Sequence, residues 1–539
     1  MRLVGKFLPA AFALLCAFML LSCGGRSEVE TVQARFTFAL QNEPDGYDPG
    51  ITNNTFASPF MNQLFEGLVT YDANGEIIPG HAESWTISDD GRSYTFNLRR
   101  NLRWSNGEPL TAHDFEFAWF RVLDPGTGAR FADMITTYVV GANAYYDGTG
   151  SRDAVGIKVI DDNTLQIELI EPTPFYLGIL AMWTYSPVHR GVVEANPERW
   201  TMDPSTYIVN GPFKPVTIRF GEGIVMAKNE HYWDAANVRL EEINFRFILE
   251  PATALSAFER GEIDGFRTVP ASDIPRLRTS SDAFHVFPSF GTTYYEVNNN
   301  RPPFNDPRVR NALSMALDRQ DIIENVIQAP GFPTFGIVSP GYAFDGVDFT
   351  AEHRRFNFNP NADPERARQL LAEAGFPNGE GFPVIELSYY TDATVRRVVE
   401  AIQQMWERNL NVRSRIVVED WAIYYARIQR SEYDIGAMGW GGDYLHPMTF
   451  LQLFTSYSIN NNSGYANREY DSFIERTLRE TDPGRAIELM HQAEAIFIRD
   501  QPVIPLFSRT LTIMVAPYVK NWALTALNNL YFRHAYIER

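Results

Sequence analysis

The chain has 539 residues, with 66 Asp and Glu against 47 Lys and Arg, and a formal net charge of −19 at pH 7. That balance disfavours nucleic acid, whose phosphates call for clustered Lys and Arg, and disfavours adhesion to anionic lipid. The length is more than one hydrophobic core holds, so several domains are expected, and the two cysteines, Cys16 and Cys23, cannot build a disulfide framework.

Arg2 and Lys6 precede an uncharged apolar run over residues 7–21, which ends in Leu20-Leu21-Ser22-Cys23-Gly24. The run is short for a membrane span and has the layout of a secretory signal peptide. A Cys directly after a small residue at the end of such a run resembles a lipobox. The resemblance implies a signal peptide over residues 1–22, cleavage before Cys23, and a membrane anchor made of acyl chains on Cys23, followed by a polar tether through residue 34. Arg2 and Lys6 are the only charges removed, so the mature chain gains two units of net negative charge, and it retains no free thiol. No later apolar stretch is long enough to span a bilayer.

Residues 36–40 read as a first strand, with a turn at Glu43-Pro44-Asp45-Gly46. Helical spacing predicts a helix over 55–70. Residues 84–87 and 94–98 form a predicted hairpin about Asp89-Asp90-Gly91, and 155–169 a second about Asp161-Asp162-Asn163. Thr111 opens a helix through 123. The later half alternates helix and strand. Helices are expected over 306–327, from the Asp363 cap and Pro364 to just before Gly375, and over 394–410, with strands at 385–390 and 412–418. This alternation predicts an α/β protein whose sheet is mostly parallel.

Enzyme signals are absent. No Gly-x-Ser-x-Gly elbow occurs, the Gly-x-Gly triplets complete no phosphate loop, and the nine His are isolated. The Asp89-Asp90 and Asp161-Asp162 pairs fall at turns, where Asp bonds its own backbone, and Glu241-Glu242 reads as a solvated pair. No catalysis, cofactor or metal is therefore expected.

One long pattern stands apart. It runs Ala82-Glu83-Ser84-Trp85, Asp89-Asp90-Gly91, Tyr94-Thr95-Phe96, Leu98-Arg99, Trp104-Ser105-Asn106-Gly107, Pro109-Leu110-Thr111-Ala112, Asp114-Phe115 and Trp119-x-Arg121. Leu64-Phe65-Glu66-Gly67-Leu68, Val209-Asn210-Gly211-Pro212-Phe213, Arg260-Gly261-Glu262-Ile263-Asp264 and Ala316-Leu317-Asp318-Arg319 extend it. The whole closely resembles bacterial extracellular solute-binding protein family 5, which includes the oligopeptide-binding proteins of ABC importers.

The resemblance implies a two-lobed clamshell of the type II periplasmic-binding-protein kind with an extra domain. Residues 35–56, 184–287 and 509–539 would form lobe I, 57–183 the extra domain, and 288–508 lobe II. It also implies a monomer, periplasmic or at the cell surface, that captures short peptides and hands them to a membrane permease. A muropeptide, nickel chelate, haem or oligosaccharide is the alternative cargo, and a surface adhesin or chaperone-like lipoprotein the more distant alternative.

Within Gly439-Trp440-Gly441-Gly442-Asp443-Tyr444, Asp443 matches the carboxylate that pairs with a ligand α-ammonium in peptide-binding relatives. Trp440 and Trp421 match aromatic pocket residues, Gly441 a position where backbone meets ligand, and Glu43 a segment whose main chain does so. Tyr294 lies in a matching strand. Some relatives carry an Arg where this chain has Ala437. Arg427 or Arg430 could substitute for it, which leaves the partner of the ligand's C-terminus open. Some relatives also join two positions that here are Gly291 and Gly441 by a disulfide.

Overall fold

The computed structural model describes residues 34–52, 56–340, 343–344, 347–351 and 359–539. Cys23, the preceding apolar run and the segment up to residue 33 lie outside the described residues. No helix among the described residues is long and apolar enough to cross a membrane.

The first strand, Arg35–Leu40, buries Phe36 and Phe38 completely, as its alternation demands. It runs parallel to Glu242–Phe247 on one side and to Gly265–Arg267 on the other. Asp264, from the Arg-Gly-Glu-Ile-Asp motif, holds the junction by accepting hydrogen bonds from the Thr37 amide at 2.7 Å and the Tyr518 hydroxyl at 2.5 Å.

These strands belong to an eleven-stranded sheet. Its order is Ser414–Glu419, Ile385–Tyr390, Ile435–Gly441, Phe284–Val297, Val503–Val515, Gly265–Arg267, Arg35–Leu40, Glu242–Phe247, Gly223–Lys228 and Phe213–Arg219, with Gly331–Pro333 against Val503–Val515. The sheet is mixed and not mostly parallel. Parallel pairing is confined to Arg35–Leu40 with its two neighbours and to Ile385–Tyr390 with its two. The long strands Phe284–Val297 and Val503–Val515, which join these two parallel groups, pair antiparallel. Helix–strand alternation could not reveal them, because their partners are distant in sequence.

The two long strands change register midway. Pro288 faces Thr510, whereas Thr292 faces Ser508. Residues before the shift pair toward Gly265–Arg267, and those after it pair with Ile435–Gly441.

A separate four-stranded antiparallel sheet holds Ala82–Ile87, Ser93–Leu98, Thr164–Glu168 and Ile157–Asp161, the two predicted hairpins. Gly91 turns the first with φ of +69°. Helix Ala112–Val122 begins at Thr111, whose amide donates to the Asp114 carboxylate at 2.8 Å in a capping box.

Other helices are shorter than their periodicity suggests. The first stops at Leu64, and residues 69–71 turn extended to pair with Ile77–Pro79. The helix begun at Pro307 stops at Met315. Asp318 then caps a new turn through the Asp321 amide, while the fully buried Arg319 donates to carbonyls of Ser314, Thr334 and Pro505. Pro364–Glu373 and Ala393–Leu410 match expectation closely.

Candidate functional site

The strand Ile435–Gly441 is antiparallel to Phe284–Val297 along its whole length, from Val297 opposite Ile435 to Gly291 opposite Gly441. On its other side Ile385–Tyr390 reaches only Ile435 and Gly436. Alternate residues of an antiparallel strand direct N–H and C=O away from the partner. From Ala437 onward one edge of this strand therefore has no strand partner among the described residues. The Tyr424 hydroxyl covers the Ala437 carbonyl at 2.7 Å, and beyond it the edge is open.

The four glycines there differ in role. A Cβ on Gly441 would meet nothing within 4 Å, so this position faces open space. On Gly442 it would come within 2.4 Å of the Phe290 ring, so that glycine is required by packing. Those on Gly439 and Gly291 would lie 3.3 and 3.1 Å from carbonyl oxygens across the pair.

Past the strand, the Gly442 amide donates to the Phe290 carbonyl at 2.8 Å and the Asp443 amide to the Thr449 hydroxyl at 3.1 Å. These bonds fix the backbone and leave the Asp443 side chain free. Its carboxylate has no ion pair and no hydrogen bond among the described residues. It lines a cavity of about 470 Å³ whose walls include Trp440, Tyr444 and Thr449 on one side and Asp133, Tyr138 and Thr173 on the other. Burial first, and then the like charge of Asp133, push Asp443 up to about 7. Burial raises Asp133 as well. Next to Asp443, the Tyr444 ring stacks on Phe175 at 4.7 Å, which brings the region of residues 57–183 against this loop.

Trp440 also lines a second cavity, of about 280 Å³, together with Thr293, Tyr390, Trp421, Gly439, Gly441 and Arg509. Trp421 is half exposed, stacks on Tyr425 at 5.2 Å and meets the Tyr390 ring edge-on at 5.0 Å. Asp443, Trp440, Gly441 and Trp421 thus fall along two adjoining cavities.

The remaining sequence candidates lie elsewhere. The Tyr294 ring is buried in the core, edge-on to Phe454. Glu43 accepts from the Tyr47 hydroxyl at 2.9 Å and the Gly221 amide at 2.8 Å, so its carboxylate is already engaged. Arg427 pairs with Glu386 at 2.7 Å and Glu419 at 2.8 Å, and Arg430 with Glu432 at 3.0 Å. Two cavity residues, Asp133 and Arg509, were not singled out from the sequence. Both are distant from the 439–444 segment along the chain and carry no local motif.

An open strand edge, an unpaired carboxylate at its end and aromatic walls make a site suited to a small organic cation with a backbone to pair. Over residues 76–462 the chain matches the pattern of bacterial extracellular solute-binding proteins, family 5. It is 34% identical over 504 residues to the oligopeptide-binding protein OppA of Bacillus subtilis (strain 168), covering 93% of this chain and 92% of that protein. A periplasmic oligopeptide-binding protein from Borrelia burgdorferi has a similar structure, with a TM-score of 0.76 and 32% identity over 94% of this chain and 100% of that one. OppA of Haemophilus influenzae, solved in complex with RPPGFSPFR, gives a TM-score of 0.73 and 29% identity over 94% and 99%. By the pattern it matches and by the fold it shares with these proteins, the chain belongs to the bacterial extracellular solute-binding proteins of family 5.

Proposed function

We propose that this protein captures short peptides outside the cytoplasm and delivers them to the membrane permease of an ABC importer. The peptide lies extended along the open edge of Ile435–Gly441, where main-chain hydrogen bonds hold it without reading side chains. Its α-ammonium sits against Asp443. The observation that carries this reading is the Asp443 carboxylate, unpaired at the wall of a cavity and held up to about 7. An ammonium group supplies the charge-assisted partner this carboxylate lacks. Capture closes lobe II, residues 288–508, on lobe I, residues 35–56, 184–287 and 509–539, with 57–183 as the extra domain. The register shift between Pro288 and Thr292 supports a hinge at that crossing. The protein acts as a monomer without cofactor or metal, and acyl chains on Cys23 anchor it to a membrane. Its task is transport and not catalysis.

The test uses protein stripped of ligand by unfolding and refolding. A mixture of tri- to pentapeptides should raise the melting temperature, N-acetylated versions should do so much less, and Asp443→Ala should remove the gain. Equal stabilisation by acetylated peptides would overturn the ammonium contact.

A further inference from the structure

The cavity of about 470 Å³ beside Asp443 is lined by three carboxylates, Asp443, Asp133 and Glu171, and among the described residues by no lysine, arginine or histidine. Asp443 is unpaired and set deep in the wall. Asp133 and Glu171 stand open to the cavity, and neither forms an ion pair with the described residues. Burial first, and then the charges of Asp443 and Asp133, push the Tyr138 hydroxyl up to about 12, so both carboxylates lie near that one group. Among the described residues no three His, Cys, Asp or Glu side chains converge to hold a metal ion. The three carboxylates are thus spread around the wall and call for separate cations. Apolar surface lies between them. Ile459 is 93% exposed, Tyr457 58% and Ile170 44%, all three at this one cavity. Such side chains gathered in the open mark a contact surface. A peptide α-ammonium alone brings one positive charge to three negative ones and leaves this surface uncovered.

We infer that this cavity selects peptides whose first residue is lysine or arginine, an inference that rests on the peptide-binding reading above. Both side chains carry a cation on an apolar stem, which is the form the wall complements. The α-ammonium pairs with Asp443. The side-chain cation of the same residue meets Asp133 and Glu171, and its methylenes lie along Ile170, Tyr457 and Ile459. The stem keeps the two charges apart, so each finds its own carboxylate. Asp443 is then the contact common to every peptide, and Asp133 and Glu171 determine which first residue is preferred. A first-position glutamate adds a like charge to the cavity and is rejected. Because Asp133 and Glu171 are exposed, each pairing is modest and is screened by salt.

The experiment is isothermal titration of ligand-stripped protein with Lys-Ala-Ala, Arg-Ala-Ala, norleucine-Ala-Ala and Glu-Ala-Ala. Norleucine keeps the lysine stem without its charge. In wild type at low salt, the Lys and Arg peptides should bind on the order of tenfold tighter than the norleucine peptide, and the Glu peptide weakest. Raising the salt to about 1 M should shrink these gaps. The readout is the ratio of Lys to norleucine affinity within each variant, because a change at Asp443 affects both peptides alike. Asp133→Asn and Glu171→Gln should each lose part of that ratio, the double variant should bring it near one, and Asp133→Glu should keep most of it. If wild type binds the Lys and norleucine peptides equally, or if the double variant, with an unchanged melting temperature, keeps the wild-type ratio, the cationic preference falls while peptide binding stands. If wild type binds none of the peptides, the peptide-binding reading falls and this inference with it.

Discussion

Asp443 is raised by burial and by a neighbouring carboxylate, Asp133, that comes from a different part of the chain. In the free protein the group titrates about 7, so below that pH ligand binding must displace a proton. Affinity for a peptide should therefore fall as pH drops, by about tenfold per unit once well below 7. Above about 8 the peptide α-amino group loses its own proton, and the ammonium contact fails from the other side. The expected profile is a peak between these limits. Removing the like charge with Asp133→Asn lowers the Asp443 value and shifts the acidic limb to lower pH, while the alkaline limb, which belongs to the ligand, stays. Titration at pH 5, 6, 7 and 8 reads this directly, and an acidic limb that does not move would rule out the coupling. Asp443 stood out in the sequence because its Gly-Trp-Gly-Gly-Asp segment resembles the family's, and the structure puts it in the wall of a cavity. Asp133 and Arg509 did not, because the fold brings them there from elsewhere in the chain.

At the level of single elements, the strand Ile435–Gly441 shows how two adjacent glycines can serve different ends. Gly441 faces open space and Gly442 faces the Phe290 ring. Gly441→Val should leave thermal stability near that of wild type and obstruct the ligand path, so peptide affinity should drop at least tenfold. Gly442→Ala should overpack the core and cost about 1–3 kcal/mol of stability in urea denaturation. Loss of stability in the first variant, or none in the second, would reverse the assignment. The sequence shows the pair of glycines but not this division, since neither is forced into a positive φ. Local signals did better for element type. The helix starts at Thr111 and at Asp363-Pro364 appear where expected. Periodicity missed only a break at residues 316–318, beside which the buried Arg319 gathers carbonyls from three segments; Arg319–Asp321 and the π-helical Ile322–Ile327 are helical as expected. It failed for the antiparallel pairing of the two long strands, which depends on partners about two hundred residues apart.

Across the whole molecule, much of the long recognition pattern turns out to hold the parts together. Arg121 pairs with Asp48 at 2.6 Å, and Asp48 also accepts from the Trp200 indole at 3.0 Å. Glu66 is buried among Arg533 at 3.1 Å, His81 at 3.2 Å, the Tyr232 hydroxyl at 2.7 Å and the Trp233 indole at 2.6 Å, joining three distant stretches of chain. Burial alone would raise Glu66, but the hydrogen bond and charge of His81 and the charge of Arg533 outweigh it and hold the group at about 2. Its contribution is thus complete above the unfolded value near 4.5 and is lost only as pH falls toward 2. Glu296 behaves in the opposite way. Burial in the Phe284–Val297 strand pushes it up to about 8. The folded state then holds a proton that the unfolded state releases near 4.5, so stability falls as pH rises from 4.5 to 8, by roughly 5 kcal/mol at most. The two effects separate because Glu66 does not change between pH 5 and pH 9, whereas Glu296 does, alongside Asp443 in the same sense and the buried His446, held at about 3, in the opposite one. Wild type should be more stable to urea at pH 5 than at pH 9, and Glu296→Gln, which cannot ionise, should narrow that gap. Glu66→Gln should leave the gap intact and lower stability by about 3–5 kcal/mol at both values, because it strands a buried guanidinium. A gap unchanged in Glu296→Gln would mean that the carboxyl is not the group that makes the folded protein sensitive to alkali.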